Sequence, residues 1–295
     1  MRVAHVTDIH WMVPPDLSDL NIKRVFGTAN LYVMGRKSHF SDAAQSALMA
    51  HLIALNPDLV ILTGDLTAQA LPQEFAKARR ALQPVFDEIP AFVIPGNHDV
   101  YTQGAARDDR IRSMFGDWMG QRIGSITRLD CGEVTCLGLN PNRPMYLRSS
   151  GLVPSDQLED LARVLRQPDL DGQFVVLCTH YPLLDRHGAI YDGHRHGLLN
   201  ASDLIDVLDR APRRPDLILH GHVHHGFRVE LPLEGAQVPI YNCGSSGYAH
   251  MPEKRRAGAM NVYEISQAKL SGVLRYLFNG EHFALETGGP YGTGR

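Results

Sequence analysis

The sequence predicts an α/β fold in which parallel sheet is covered by helices, and two observations carry that expectation. Short, β-branched-rich apolar runs at 3–6, 59–62, 92–94, 137–139, 174–178 and 217–219 are bounded by Gly, Pro or Asp, the pattern of buried strands. Segments of helical periodicity lie between them, and strands alternating with helices build parallel sheet with the helices outside.

Taken in order, Ser41 is placed to cap a helix with Ala44, Leu48, Leu52 and Leu55 on one face. Pro72 opens a second helix through Phe75, Ala78 and Leu82, since proline is pre-organised for the first helical position. Ser155 and Ser202 read as further N-caps, leading to Leu158, Leu161 and Leu165, and to Ile205 and Leu208. After His224 the character changes. Apolar segments at 227–231, 238–242, 259–265 and 273–278 are separated by turns rather than a long helix, which suggests hairpins completing a second sheet. No internal repeat, low-complexity tract or interdomain linker is visible. Residues 1–295 therefore read as one domain, with an inserted cap-like segment at about 11–40 and a β-rich part from about 225.

Composition narrows the function classes. A hydrophobic content of 44% supports a substantial core, and a formal charge of -3 gives no global attraction to nucleic acid, whose binders carry a basic surplus. No nucleic-acid partner is expected. The four cysteines, Cys131, Cys136, Cys178 and Cys243, form no C-x-x-C pair and read as reduced core residues. The first strand starts at once and delivers Asp8, so a removable leader would take that residue with it. No apolar run is long enough to span a bilayer. The expectation is a cytoplasmic protein, with peripheral membrane contact left open.

Chemistry-bearing residues gather in five clusters, each directly after an apolar run: Asp8-Ile9-His10, Gly64-Asp65, Gly96-Asn97-His98-Asp99, His180, and Gly221-His222-Val223-His224. In extended chain, residues i and i+2 share a face, so Asp8 with His10, and His222 with His224, would each aim two donors into one cavity. Carboxylate, imidazole and amide oxygen form a mixed nitrogen and oxygen set suited to borderline or hard divalent metals. Seven donors exceed one tetrahedral ion, and two ions sharing a ligand is the economical solution. The glycines at 64, 96 and 221 would let the chain turn sharply beside the ions.

The ordered set D-x-H, G-D, G-N-H-D, H and G-H-x-H resembles the calcineurin-like metallophosphoesterase superfamily, from the first strand to about Tyr241. That resemblance implies a four-layer αββα sandwich of two mixed β-sheets flanked by helices, with the site at the carboxyl ends of the strands. It implies that Asp8, His10 and His224 hold a first ion, that Asn97, His180 and His222 hold a second, and that Asp65 bridges both. Mn²⁺, iron and Zn²⁺ all accept this donor set. Two divalent cations outweigh the two ligand carboxylates, so the pocket stays electropositive and favours a phosphate ester. A water shared between the ions would lose a proton near neutral pH and attack phosphorus in line. His98 would stabilise phosphoryl oxygens or protonate the leaving alkoxide, with Asp99 either orienting it or serving as a turn aspartate.

Within the superfamily, Gly64-Asp65 is followed by Leu66-Thr67-Ala68 rather than G-D-x-x-D-R-G, and the third block ends in Asp99, which disfavours a phosphoprotein phosphatase. Length, the opening H-V-T-D-I-H and G-H-V-H are most similar to bacterial phosphodiesterases of cyclic nucleotides or glycerophosphodiesters. The expected function is hydrolysis of a small-molecule phosphodiester. The alternatives are a pyrophosphatase acting on a nucleotide-linked lipid precursor, a phosphomonoesterase, and a metal-stabilised module that binds a phosphorylated ligand without turnover. Retention of His98 argues against the last. Two departures separate the chain from many relatives: the basic and apolar insertion, and Tyr181 in place of a second histidine. The insertion reads as a lid, as a lipid-contacting patch over about 17–40, or as a packing loop. A second rim runs over 185–197, with Arg186, His187, His194, Arg195 and His196. Oligomeric state is not legible.

Overall fold

The computed structural model describes residues 1–14, 39–102, 104–105, 108–143, 149–191 and 196–291. Most of the insertion and the centre of the second rim, including His194 and Arg195, therefore lie outside the described residues.

Two mixed sheets stack face to face. Strands β1 (Arg2–Val6), β2 (Leu59–Leu62) and β3 (Ala91–Val93) run parallel in the first sheet, with helices α1 (Asp42–Leu55) and α2 (Pro72–Phe86) in the connections. After β3 come α3 (Arg110–Phe115), then β4 (Gln121–Ile123), β5 (Ile126–Cys131) and β6 (Val134–Gly138) of the second sheet. That sheet continues in parallel through β7 (Phe174–Cys178) and β8 (Leu217–His220), with α4 (Ser155–Val164) and α5 (Ala201–Arg210) crossing between. The tail divides. Strands β9 (Phe227–Leu233) and β10 (Ala236–Asn242) form a hairpin beside β8, whereas β11 (Ala259–Ser266), β12 (Lys269–Phe278) and β13 (Phe283–Leu285) return to the first sheet. The expectation that the tail completes a second sheet is thus corrected: it extends both sheets, β11 pairing antiparallel with β1.

Layering explains why the strand signals are continuous apolar runs. Between the sheets pack Val3, Leu59, Ile61, Phe92, Val134, Phe174, Val176, Leu217 and Tyr263. On the far face of the first sheet Ala4, Val60 and Val93 meet Leu48 and Leu52 of α1 and Phe75 and Leu82 of α2. On the far face of the second, Leu137, Val175 and Ile218 meet Leu161 of α4 and Leu204 and Leu208 of α5. A strand covered on both faces has no polar side to present. The order helix, sheet, sheet, helix is the expected four-layer sandwich.

Helix starts follow local chemistry, with two shifts. The Ser41 hydroxyl accepts from the amides of Ala43 and Ala44 at 3.1 and 3.2 Å, as expected of an N-cap. Pro72 is the first residue of α2, and Glu74 reaches back to accept from the Leu71 amide at 3.2 Å. Pro154 and Asn200, rather than Ser155 and Ser202, flank α4 and α5; the Asn200 side-chain oxygen is engaged across the loop by the Val153 amide at 3.0 Å. The cysteines are free thiols, three of them buried. Among the described residues no helix is long and apolar enough to cross a membrane.

Candidate metal centre

Five loops at the carboxyl ends of β1, β2, β3, β7 and β8 bring the predicted donors together. Asp8, His10, Asp65 and His224 form one cluster, and Asp65, His180 and His222 form a second, so Asp65 belongs to both. The Asp8 Oδ1 to His224 Nε2 distance is 3.1 Å, and the Nε2 atoms of His10 and His224 lie 3.2 Å apart. Asp65 Oδ2 stands 3.6 Å from His10 Nε2 and 3.4 Å from His180 Nε2. Asn97 Oδ1 completes the second cluster, 3.1 Å from His180 Nε2 and 2.8 Å from His222 Nδ1.

The convergence arises differently from simple strand alternation. Strand β1 ends at Val6 and β8 at His220, and Asp8, His10, Asp65, His222 and His224 all have left-handed backbones, with φ between 51 and 73°. That conformation costs an ordinary residue about 1–2 kcal/mol, and such strain persists where neighbours over-determine it. Here they do. Asp8 and His10 amides donate to the carbonyls of Gly64 and Asp65 at 3.0 and 3.1 Å, and the Ser245 hydroxyl donates to the Asp8 carbonyl at 2.6 Å.

Side-chain partners fix the imidazoles. His10 Nδ1 donates to the Thr67 carbonyl at 3.1 Å and His180 Nδ1 to the Thr63 carbonyl at 2.7 Å, which turns each Nε2 inward, the usual tether of a metal-binding histidine. His224 Nδ1 meets the Tyr248 hydroxyl at 3.0 Å. Asp8 Oδ2 accepts from the His222 amide and the Thr7 hydroxyl at 2.9 and 2.8 Å, while Asp8 Oδ1 is buried without a hydrogen-bond partner. An orphaned carboxylate oxygen facing inward-turned imidazole nitrogens is a set of converging electron pairs, which a cation satisfies. The residues fit divalent metal.

Electrostatics agree with a strongly coupled site. Burial opposes charge on Asp8, but His224 beside it prevails and lowers its pKa to about 2. Burial likewise opposes protonation of His180, yet Asp65 overrides it and raises His180 to about 9. Burial lowers His10 to about 3, with Asp65 resisting.

His98 lies beside this centre. Its Nδ1 donates to the Ala68 carbonyl at 2.6 Å and its amide donates to Asp65 Oδ1 at 2.8 Å; its ring stacks on Tyr101 and meets His10 edge-on at 4.9 Å. The orienting partner expected in Asp99 is thus the Ala68 carbonyl. Asp99 instead accepts from the amides of Gly96 and Thr67 at 2.9 Å each and from that of Leu66 at 3.3 Å, stitching the β2 and β3 loops together. Of its two expected roles, the turn aspartate describes these contacts. Tyr181 is fully buried, its ring centroid 4.4 Å from that of His222, so it backs a donor rather than presenting one.

A family model described as calcineurin-like phosphoesterase matches residues 1–226. The chain belongs to the calcineurin-like phosphoesterase family. It is similar to a probable cyclic nucleotide phosphodiesterase of Vesicomyosocius okutanii subsp. Calyptogena okutanii, 26% identical over 77% of this chain and 84% of the relative. A protein of the same description from Pseudoalteromonas sp. is 25% identical over 78% of this chain and 74% of its own length. Among solved structures, a dimetal phosphatase from Danio rerio aligns with a TM-score of 0.58 at 11% identity, over 96% of this chain and 98% of that one. At that identity the likeness speaks for the fold. This calcineurin-like phosphoesterase is accordingly a metal-dependent phosphoester hydrolase.

Proposed function

We propose that the chain is a dinuclear phosphodiesterase acting on a small molecule such as a cyclic nucleotide or a glycerophosphodiester. The observation that carries this reading is the sharing of Asp65 by two donor clusters. Asp8, His10 and His224 would hold one ion, Asn97, His180 and His222 the other, and Asp65 both. When bound, such a pair supplies charge neutralisation at phosphorus and an activated water. The relatives' descriptions as probable cyclic nucleotide phosphodiesterases support the diester class.

The chain's own groups divide the remaining work. Asn97 adds an oxygen donor without negative charge, preserving the electropositive pocket that draws a phosphoester. His98, with Nδ1 committed to the Ala68 carbonyl, presents Nε2 to the reacting group. From Nε2 it donates a hydrogen bond to a phosphoryl oxygen or a proton to the departing alkoxide.

The test is hydrolysis of bis(4-nitrophenyl) phosphate with added Mn²⁺, followed by a panel of cyclic AMP, glycerophosphodiesters, nucleotide-sugar pyrophosphates and simple monoesters. The reading expects metal-dependent turnover with diesters preferred. Turnover confined to pyrophosphates or monoesters would overturn the diester assignment, and metal-independent turnover would overturn the dinuclear one.

A further inference from the structure

Three features lie outside the donor clusters. A polar layer beneath the site, containing buried His5 and His220, fastens the strand ends together. A cavity of about 130 Å³ between α3 and the edge of the second sheet is lined by Arg112 and Asp109, paired at 3.7 Å, and by exposed Arg122. The third is Arg143.

Arg143 is half-buried, its Nε is wholly buried, and it makes no hydrogen bond or ion pair among the described residues. Two other arginines of the second sheet and its loops are paired: Arg128 with Asp130 and Asp169 at 2.9 and 2.8 Å, and Arg213 with Asp216. A guanidinium taken partly out of water without a counter-charge is costly. Its persistence calls for a partner that arrives from outside.

Its position says what that partner is. The preceding residue, Asn142, donates its side-chain amide to the Pro95 carbonyl at 2.6 Å, which ties the segment to the loop that carries Asn97. Two residues earlier, the Asn140 amide donates to Gln157 Oε1 at 2.8 Å and its carbonyl accepts from Gln157 Nε2 at 3.1 Å, fixing the same segment to α4. The His196 ring stands 6.0 Å from that of His222. A rigidly based cation therefore sits beside the loop that supplies Asn97 to the second donor cluster.

We infer that Arg143 is a substrate-binding residue that grips a phosphoryl oxygen of the ester on the Asn97 side of the centre. The inference rests on the phosphoesterase reading above and adds the residue that orients the anion. A planar guanidinium matches an oxyanion with two parallel N–H donors, and its fixed charge holds at any working pH. Anchored there, a phosphoryl group is restrained in rotation while the metal donors hold the reacting side.

Arg143→Met keeps the buried stem and removes the charge, and Arg143→Lys keeps the charge and loses the fork. Calorimetric titration of Mn²⁺-loaded protein with inorganic phosphate reads the contact without turnover. In the Met variant phosphate binding should weaken by about tenfold to a hundredfold, the scale of a lost charge-assisted hydrogen bond. The Lys variant should recover part of the loss, with metal content and melting temperature unchanged in both. Affinity within twofold of the parent in a folded, metal-loaded Met variant would overturn the assignment. If phosphate binding depends on Arg143 but no diester is turned over, the anchor stands and the diesterase reading falls. Should diesters turn over with the Met variant matching the parent in kcat/KM, the anchor falls and the diesterase reading stands.

Discussion

Asp65 and His98 are linked by a 2.8 Å hydrogen bond from the His98 amide to Asp65 Oδ1, yet their substitution should separate two kinds of loss. Asp65 is the donor shared by both clusters, so Asp65→Ala should empty both metal positions. His98→Ala removes a ring and leaves the amide that serves Asp65. That variant should retain its metal and lose about 10²–10⁴-fold in turnover, the usual contribution of a positioned acid or hydrogen-bond donor. Elemental analysis beside a rate assay on the same samples decides both. Full occupancy in the Asp65 variant would contradict a bridging role, and metal loss in the His98 variant would make His98 a structural member of the loop. The residue types and their order were legible in the sequence because each follows a strand whose apolar run ends visibly. The left-handed backbones of Asp8, His10, Asp65, His222 and His224 were not, since only glycine advertises that conformation. Nor were the Asp99 partners, for which the sequence left an orienting and a turn role open: besides the Gly96 amide of its own loop, the Leu66 and Thr67 amides come from the other loop, which no local pattern shows.

At the scale of elements, the β2 and β3 loops must approach closely for Asp65 and Asn97 to meet, and two glycines permit it. Gly64 has a φ of 98°, and a Cβ on Gly96 would lie 2.2 Å from Asp65 Oδ1 and 2.3 Å from the Asp65 amide. Gly96→Ala must therefore push the shared carboxylate aside, although it adds a single methyl group and alters neither a helix nor a strand residue. The expected result is a loss of metal affinity of tenfold or more, on the order of a misplaced ligand's tether. Ser41→Ala, which removes the α1 cap, supplies the contrast: about 1 kcal/mol of stability and unchanged metal affinity. Titration with Mn²⁺ and a denaturation curve for each variant check this, and equal metal affinity in parent and Gly96→Ala would show that the loops have room to relax. Strand prediction succeeded at this scale for the buried parallel strands. It passed over β4, β5 and β13, because short or partly exposed strands such as Gln121–Ile123 are set by their pairing partners rather than by an apolar run. The destination of the tail was hidden for the same reason: β11 finds β1 across more than 250 residues of chain, a long-range pairing that no local pattern encodes.

Considered as a whole, the molecule places its donors on both sheets. Asp8, His10, Asp65 and Asn97 follow strands of the first sheet, and His180, His222 and His224 follow strands of the second. Each donor cluster draws from both, the first through His224 and the second through His180 and His222. Metal should therefore act as a clamp across the apolar interface between the sheets, stabilising the folded chain by mass action. At a free concentration one hundred times the dissociation constant the gain is about 2.7 kcal/mol, which for a chain of this size raises the melting temperature by about 4 °C. The melting temperature should rise on adding Mn²⁺ and fall on chelation. Because the clamp needs both sheets, Asp8→Ala on one and His222→Ala on the other should each remove much of the rise, and hydrogen exchange on chelation should quicken together at the ends of β1 and β8. Quickening confined to one sheet would show that the interface between the sheets holds without the ions, and a full metal-induced rise in the His222 variant would show that His222 holds no metal.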